Sequence, residues 1–203
     1  MGQKYLVLST NNMHKLKEIR DILSDLPVKV LSKKALNLEE FEIKEDGNSL
    51  EENSIKKAQA LAKLTDHMVM ADDSGLFVEA LDGKPGIHSS RYAGEEGNDE
   101  KNNQELLNAL EGLPMEKRKA EFKTVIALVT DKRELITIEG SCSGHIAFKP
   151  KGDNDFGYDP LFIPTGYDKT FAQLDPKIKN KISHRADAIR KLKEILEDLL
   201  KDD

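Results

Sequence analysis

At 203 residues, with 38% hydrophobic and 33% charged side chains, the chain has the makeup of a soluble globular protein able to bury a sizeable core. Its formal net charge of −6 excludes a general grip on DNA or RNA, whose affinity rests largely on neutralised phosphates, but not a local site for one nucleotide. The single cysteine, Cys142, allows no internal disulfide and no cysteine zinc site. The apolar run at residues 5–8 is shorter than a secretory signal (roughly 7–15) or a membrane helix (about 20), so no membrane role and a cytoplasmic home are expected.

Residues 4–9 read as a short buried strand. Beyond the polar residues 10–12, the spacing of Met13, Leu16, Ile19, Leu23 and Leu26 predicts a helix with one apolar face, closed by Pro27. A second strand follows at 28–31. Ser49 and Glu52 match a capping box that opens a helix through residues 53–64. Residues 67–71 form a strand, and Leu76, Val78 and Ala80 alternate as its continuation or as another strand. "DGKPG" and "AGEEGND" are loop signals, and 102–110 is helical. Residues 122–130 and 135–148 predict two long antiparallel strands joined near Asp131 and Lys132. A loop at 150–155 and an amphipathic helix at 183–200 complete the pattern. Strands alternating with helices, then a hairpin, predict an α/β fold on a mixed sheet, with residues 1–203 forming a single domain of two lobes sharing that sheet.

"MVMADDSGLFVEA" places Asp72 and Asp73 where an apolar run ends. Two readings stay open. The pair makes a strand-to-turn bend, with side chains on nearby backbone N–H groups. Alternatively it holds Mg²⁺, which favours one or two carboxylates, retained waters and substrate phosphate oxygens, with a carboxylate at hand to take a proton from water. Strand ends are where ligands gather in open α/β sheets. "KEDGNSLEEN" adds Glu45 and Asp46, with Glu51 and Glu52 complementing the helix dipole. Glu45 lies outside that helix and by itself reads as a solvated loop residue.

"STNNMHK" sets Thr10, Asn11, Asn12 and Lys15 between a strand and a helix. Free N–H groups there suit phosphate, or Asn simply caps the helix; no Walker A pattern is present. In "DFGYDPLF", Phe156 and Tyr158 either offer a ring for a base to stack on, worth roughly 1–3 kcal/mol, or plug the core. Lys179, Lys181, His184 and Arg185 open the last predicted helix. Their charge there opposes its dipole, and either a bound anion or a solvated basic face accommodates it. The five histidines show no metal-binding spacing, Ser74 has no nucleophile-elbow context, and Cys142 in "GSCSG" reads as a small strand residue.

Taken in order, "STNNMHKLKEI", "EDGNSLEENSIKKAQA", "ADDSGLFVEALDGKPGIHSSRYAG", "DFGYDPLF" and "SHRADAIRKL" resemble the inosine/xanthosine triphosphate pyrophosphatases over nearly the whole chain. The resemblance implies an elongated mixed α/β fold with a cleft between two lobes, a homodimer, and Mg²⁺-dependent hydrolysis of ITP, dITP or XTP to the monophosphate and pyrophosphate. It implies that Asp73 is the base and a metal ligand, with Glu45 the acidic partner ligand. It gives the triphosphate to Thr10, Asn11, Asn12, Met13, His14 and Lys15, with Lys57 and Ser74 beside them. The base falls to Phe156, Gly157, Tyr158 and Asp159, with Lys179, His184 and Arg185 completing the substrate site; Lys15, Lys57 and Lys179 would carry positive charge to the phosphates. Asn11 and His14 stand where many members have glycine, and Asp155 stands where a glycine usually precedes the phenylalanine. A sensing module without turnover is the contrasting reading, which has no need of a general base at Asp73.

Overall fold

The computed structural model describes residues 3–153 and 156–201. By internal contacts the chain divides into two compact units. The first comprises Met1–Asp73, Thr124–Gly140 and Ala186–Asp203; the second comprises Ser74–Lys123 and Ser141–Arg185. Among the described residues, strands β1 (Lys4–Leu8), β2 (Val28–Ser32), β3 (Met68–Val78), β4 (Pro85–Gly86), β5 (Lys119–Val129), β6 (Leu135–Ile146) and β7 (Phe162–Pro164) follow the order β2-β1-β3-β5-β6-β7, with β4 on β3, in a mixed sheet carrying helices, the α/β fold expected.

In the first unit, β1 (Lys4–Leu8), α1 (Met13–Ile22) and β2 (Val28–Ser32) form a crossover whose strands pair in parallel, Leu6 opposite Val30. Helix α2 (Leu50–Ala62) then leads to β3 (Met68–Val78), parallel to β1 with Leu6 opposite Met68. Strands β5 (Lys119–Val129) and β6 (Leu135–Ile146) are neighbours, and so short a link between them permits only antiparallel pairing.

Side chains alternate across a strand, and the two cores of this unit follow that rule. Leu6, Leu8, Met68, Met70, Ile126 and Leu128 pack with Leu16 and Ile19 of α1 and with Ile189, Leu192 and Leu196 of α5 (His184–Lys201). Val7, Val69, Ala71, Ala127 and Val129 pack on the opposite face with Ala58 and Leu61 of α2. Each fully buried aliphatic side chain contributes about 1.5–3 kcal/mol, so the alternation that selects these faces is strongly enforced. Helix α1 stops earlier than its apolar spacing suggests, with Leu23 as its C-cap, and Met13 on its first turn is exposed rather than part of the buried stripe.

In the second unit, β4 (Pro85–Gly86) pairs antiparallel with the later part of β3, and β7 (Phe162–Pro164) pairs with β6. Leu76, Val78, Phe122, Ile146, Tyr158 and Phe162 form its core with Leu106 and Leu110, Leu106 lying on α3 (Asp99–Ala109). The basic segment near the end is two helices, not one. Asp175 caps α4 (Pro176–Ile182), and an extended Ser183 separates it from α5. Lys179 and Lys181 therefore sit in the last turn of α4, where positive charge favours the dipole, and the expected conflict does not arise for them. Among the described residues, no helix is long and apolar enough to cross a membrane.

Candidate active site

Asp72 and Asp73 lie inside β3 rather than at a bend. Adjacent strand residues point to opposite faces, so two like charges that look crowded in sequence are kept apart in space. Asp72 follows Met68 and Met70, the face covered by α1, and its Oδ2 lies 2.9 Å from Nζ of Lys15 on that helix. Asp73 follows Val69 and Ala71, the face covered by α2. Its Oδ1 is 3.4 Å from Lys57 Nζ and its Oδ2 accepts from Asn53 Nδ2 at 3.1 Å, both on α2. The two acids are thus held by different lysines from different helices.

The acid that joins Asp73 is Glu45. Its Oε1 lies 2.8 Å from Lys57 Nζ, and the same ammonium donates to the carbonyl of Asp72 at 2.8 Å. Glu45 is therefore no idle loop carboxylate: a nearly buried lysine gathers it and Asp73 to one point. Thr124 Oγ1 donates to the Asp73 carbonyl at 3.0 Å and fixes the backbone there. Burial lifts the Asp73 carboxyl above the ordinary carboxylate range; Lys57 opposes this, Glu45 adds to it, and Lys15 and the Asn53 amide oppose it. For Lys57, burial acts to lower the pKa, but Asp73, Glu45 and Asp72 outweigh it and hold the ammonium above an ordinary lysine.

Asn53 is the member that sequence reasoning missed. Its Oδ1 accepts from Gly47 N–H at 2.8 Å, which orients Nδ2 toward Asp73. One buried amide thus ties the loop that carries Glu45 to the Asp73 carboxylate. The usable signal is a polar residue on the buried face of α2, four ahead of Lys57 and eight ahead of Leu61.

The segment after β1 leaves the sheet beside these acids, with Ser9 N–H donating to the Met70 carbonyl at 2.8 Å. Asn12 caps α1, and its Oδ1 accepts from both His14 N–H and Lys15 N–H. Those two donors, expected for phosphate, are therefore taken. Asn12 N–H donates to Thr10 Oγ1, and Asn11 Nδ2 donates to the Glu39 carbonyl. The helix start offers Lys15 and the exposed Met13 and His14 more than free amides. Glu52, expected to close a capping box on Ser49, accepts from Asn48 N–H instead, while Ser49 Oγ accepts from Glu52 N–H.

In the second unit, Phe156, Gly157, Tyr158 and Asp159 form a turn closed by Asp159 N–H on the Phe156 carbonyl at 3.1 Å. Gly157 has φ of +57°, which a side chain tolerates poorly. Of the two aromatics, Tyr158 matches the core-plug reading: it is buried, its hydroxyl donates to the Ser89 carbonyl at 2.9 Å, and burial pushes its pKa well up. Phe156 is only half-buried, with Lys179 Nζ 5.6 Å from its ring centre.

Lys179, expected on the phosphate chain, lies instead on the buried Asp159, Nζ to Oδ2 at 2.5 Å. His184 stacks on Phe122 at 4.7 Å, and His184 and Arg185 are both buried at the start of α5. Ser74 follows Asp73 in β3, half-buried. Asp155 lies outside the described residues.

Hard carboxylate oxygens in this number fit Mg²⁺, which completes its shell with waters and phosphate oxygens. Among the described residues no group of three or more His, Cys, Asp or Glu could hold a metal ion.

A profile of the Ham1 family matches residues 6–195. The dITP/XTP pyrophosphatase of Thermoanaerobacter pseudethanolicus is 49% identical, covering 93% of this chain and 94% of its own. That of Bacillus subtilis is 45% identical, covering 96% and 98%. Among solved structures, the Ham1 protein of Staphylococcus aureus superposes with a TM-score of 0.84 at 42% identity, covering 96% of this chain and 99% of that one. A HAM1 protein from Coxiella burnetii gives 0.85 at 39%, with the same coverages. With both sequence and fold matched over nearly their full length, the chain belongs to the Ham1 family.

Proposed function

We propose that the chain is a dITP/XTP pyrophosphatase, dependent on a divalent cation, that uses Asp73 as its base. The observation carrying this reading is the convergence of Glu45 and Asp73 on Lys57 Nζ, at 2.8 and 3.4 Å. A lysine that holds two carboxylates together keeps a cation site formed before a cation arrives. Glu45 and Asp73 would hold Mg²⁺, which when bound supplies charge neutralisation for the polyphosphate.

The chain's own residues do the rest. Asp73 accepts the proton of a water whose oxygen attacks the α-phosphorus, and the bond to the bridging oxygen breaks to release pyrophosphate. Asn53 and Lys57 fix the orientation of that carboxylate. Lys15 brings positive charge from the other face through Asp72, within reach of a polyphosphate at the start of α1.

In the second unit, Phe156 offers a face for a purine, and Asp159 an acceptor for the N1–H of hypoxanthine or xanthine. Lys179, already on Asp159, supplies a donor for O6. Adenine presents the opposite pattern at both positions, setting its acceptor N1 against the Asp159 carboxylate and its 6-amino donor against the Lys179 ammonium, a mismatch worth orders of magnitude in rate. The family resemblance supports a homodimer and a cytoplasmic setting. Purified protein should release pyrophosphate from ITP with Mg²⁺ and not with EDTA; no release in Mg²⁺ would refute the reading.

A further inference from the structure

The turn that carries Phe156 is held from outside by one face of α3. Asp99 Oδ2 accepts from Gly157 N–H at 2.7 Å, and Asn103 Nδ2 donates to the Gly157 carbonyl at 2.9 Å. Residues four apart share a helix face, so the two side chains reach the same glycine from one platform. Gly157 N–H belongs to the peptide unit after Phe156, and its carbonyl to the unit before Tyr158. Two successive peptide planes are therefore fixed, at the one residue whose positive φ makes the turn. A Cβ on Gly157 would meet nothing within 4 Å, so crowding does not fix the turn; these two bonds add to its own closing bond from Asp159 N–H to the Phe156 carbonyl.

The bland explanation of Asp99 is that an acid in a helix's first turn complements the dipole. Two observations go beyond it. Asn98 already caps α3, its side chain accepting from Lys101 N–H, so the helix does not need Asp99 as its cap. Asn103 is buried, and its Oδ1 has no hydrogen-bond partner among the described residues. An unpartnered buried oxygen costs stability, which residues kept for function tolerate. The platform itself is firm. Asn102 accepts from Ala93 N–H and donates to the Ser90 carbonyl, while Leu106 anchors the helix in the core. Beyond the glycine, Tyr158 is tied to Ser89, whose Oγ accepts from Leu76 N–H.

We propose that Asp99 and Asn103 are positioning residues for the purine: by gripping both peptide units of Gly157 they set the Phe156 ring and the Asp159 carboxylate for base recognition. This rests on the assignment of the 156–159 turn to the base. A site held on a rigid helix discriminates better than one on a bare loop, and displacement of recognition groups by about 1 Å can cost 10²-fold.

The test compares kcat and KM for ITP and ATP in the wild type, D99A, D99N and N103L, with melting temperatures for each. D99A should raise KM for ITP and reduce the ITP-to-ATP ratio of kcat/KM by roughly 10- to 100-fold, with kcat little changed. D99N keeps an oxygen acceptor and should restore wild-type values. N103L removes the donor together with the unpartnered oxygen, so it should melt no lower than the wild type yet lose discrimination as D99A does. It also answers the question should D99A fail to fold. Wild-type KM and ratio in N103L, or a loss in D99N equal to that in D99A, would overturn the proposal while leaving the enzyme's activity standing. A wild-type protein inactive on ITP would instead remove the functional reading, and the proposal with it.

Discussion

Replacing Lys57 with methionine keeps the apolar stem and deletes the charge that gathers Glu45 and Asp73. Breaking one partner out of a buried ion cluster costs about 3–5 kcal/mol, because the remaining charges are left uncompensated. Here the side chains of Lys57 and Asp73 are 9% and 10% exposed, but that of Glu45 is 36% exposed and can turn toward water. The loss should therefore fall near the lower end, about 3 kcal/mol. At ~2–4 °C per kcal/mol for a chain of this size, K57M in EDTA should melt about 6–12 °C below the wild type. A divalent cation can replace the missing positive charge, so Mg²⁺ should raise the melting temperature of K57M more than that of the wild type. Differential scanning fluorimetry across a Mg²⁺ titration reads both. A K57M protein that melts within about 2 °C of wild type in EDTA, or an equal Mg²⁺ shift in the two proteins, would refute the idea that this lysine stands in for a cation.

Because Asp72 and Asp73 face opposite sides of β3, their isosteric amides should behave differently. D73N should lower turnover of ITP by at least about 10²-fold and weaken Mn²⁺ binding followed by electron paramagnetic resonance, whereas D72N should leave Mn²⁺ affinity near wild type; equal loss in both would contradict the separation. A Cβ on Gly75 would lie 2.3 Å from the Gly86 carbonyl oxygen, a backbone atom that cannot swing aside. G75A should therefore cost about 1–3 kcal/mol in urea unfolding, and a change below about 0.5 kcal/mol would show that β3 and β4 separate readily.

Much of the fold could be read from periodicity. The early strand–helix alternation, the 3.6-residue apolar spacing of α1 and α5, and the hairpin all occur close to where the pattern puts them. The failures have physical causes. Asp-Asp-Ser-Gly carries turn chemistry, yet β3 continues through it, because lysines on both faces satisfy the acids that would otherwise seek backbone donors. The run of basic and apolar residues before α5 keeps a helical rhythm across Ser183, and the one local mark of the break is Ser183 itself, a residue type favoured just before a helix. Strand β7 is three residues long, too short for alternation to register.

The candidate site was legible as a set of residues and much less as a set of contacts. That Glu45 belongs with Asp73 came from family resemblance; the lysine that joins them is a contact between α2, a loop and a strand. That Lys179 sits on Asp159 is a contact between residues twenty apart in sequence, which no local pattern marks. Asn53 carries no motif at all. Its meaning lies in two partners that folding alone brings to the same amide.

The odd–even rule along β3 imposes a constraint of parity. Adding or deleting a single residue between Met68 and Asp72 would hand the first acid to α2 and the second to α1, exchanging their partners without changing the composition of the site. Surface loops elsewhere can drift in length by any amount, but this stretch can lengthen only in steps of two. Its count is as much a part of the machinery as the carboxylates themselves.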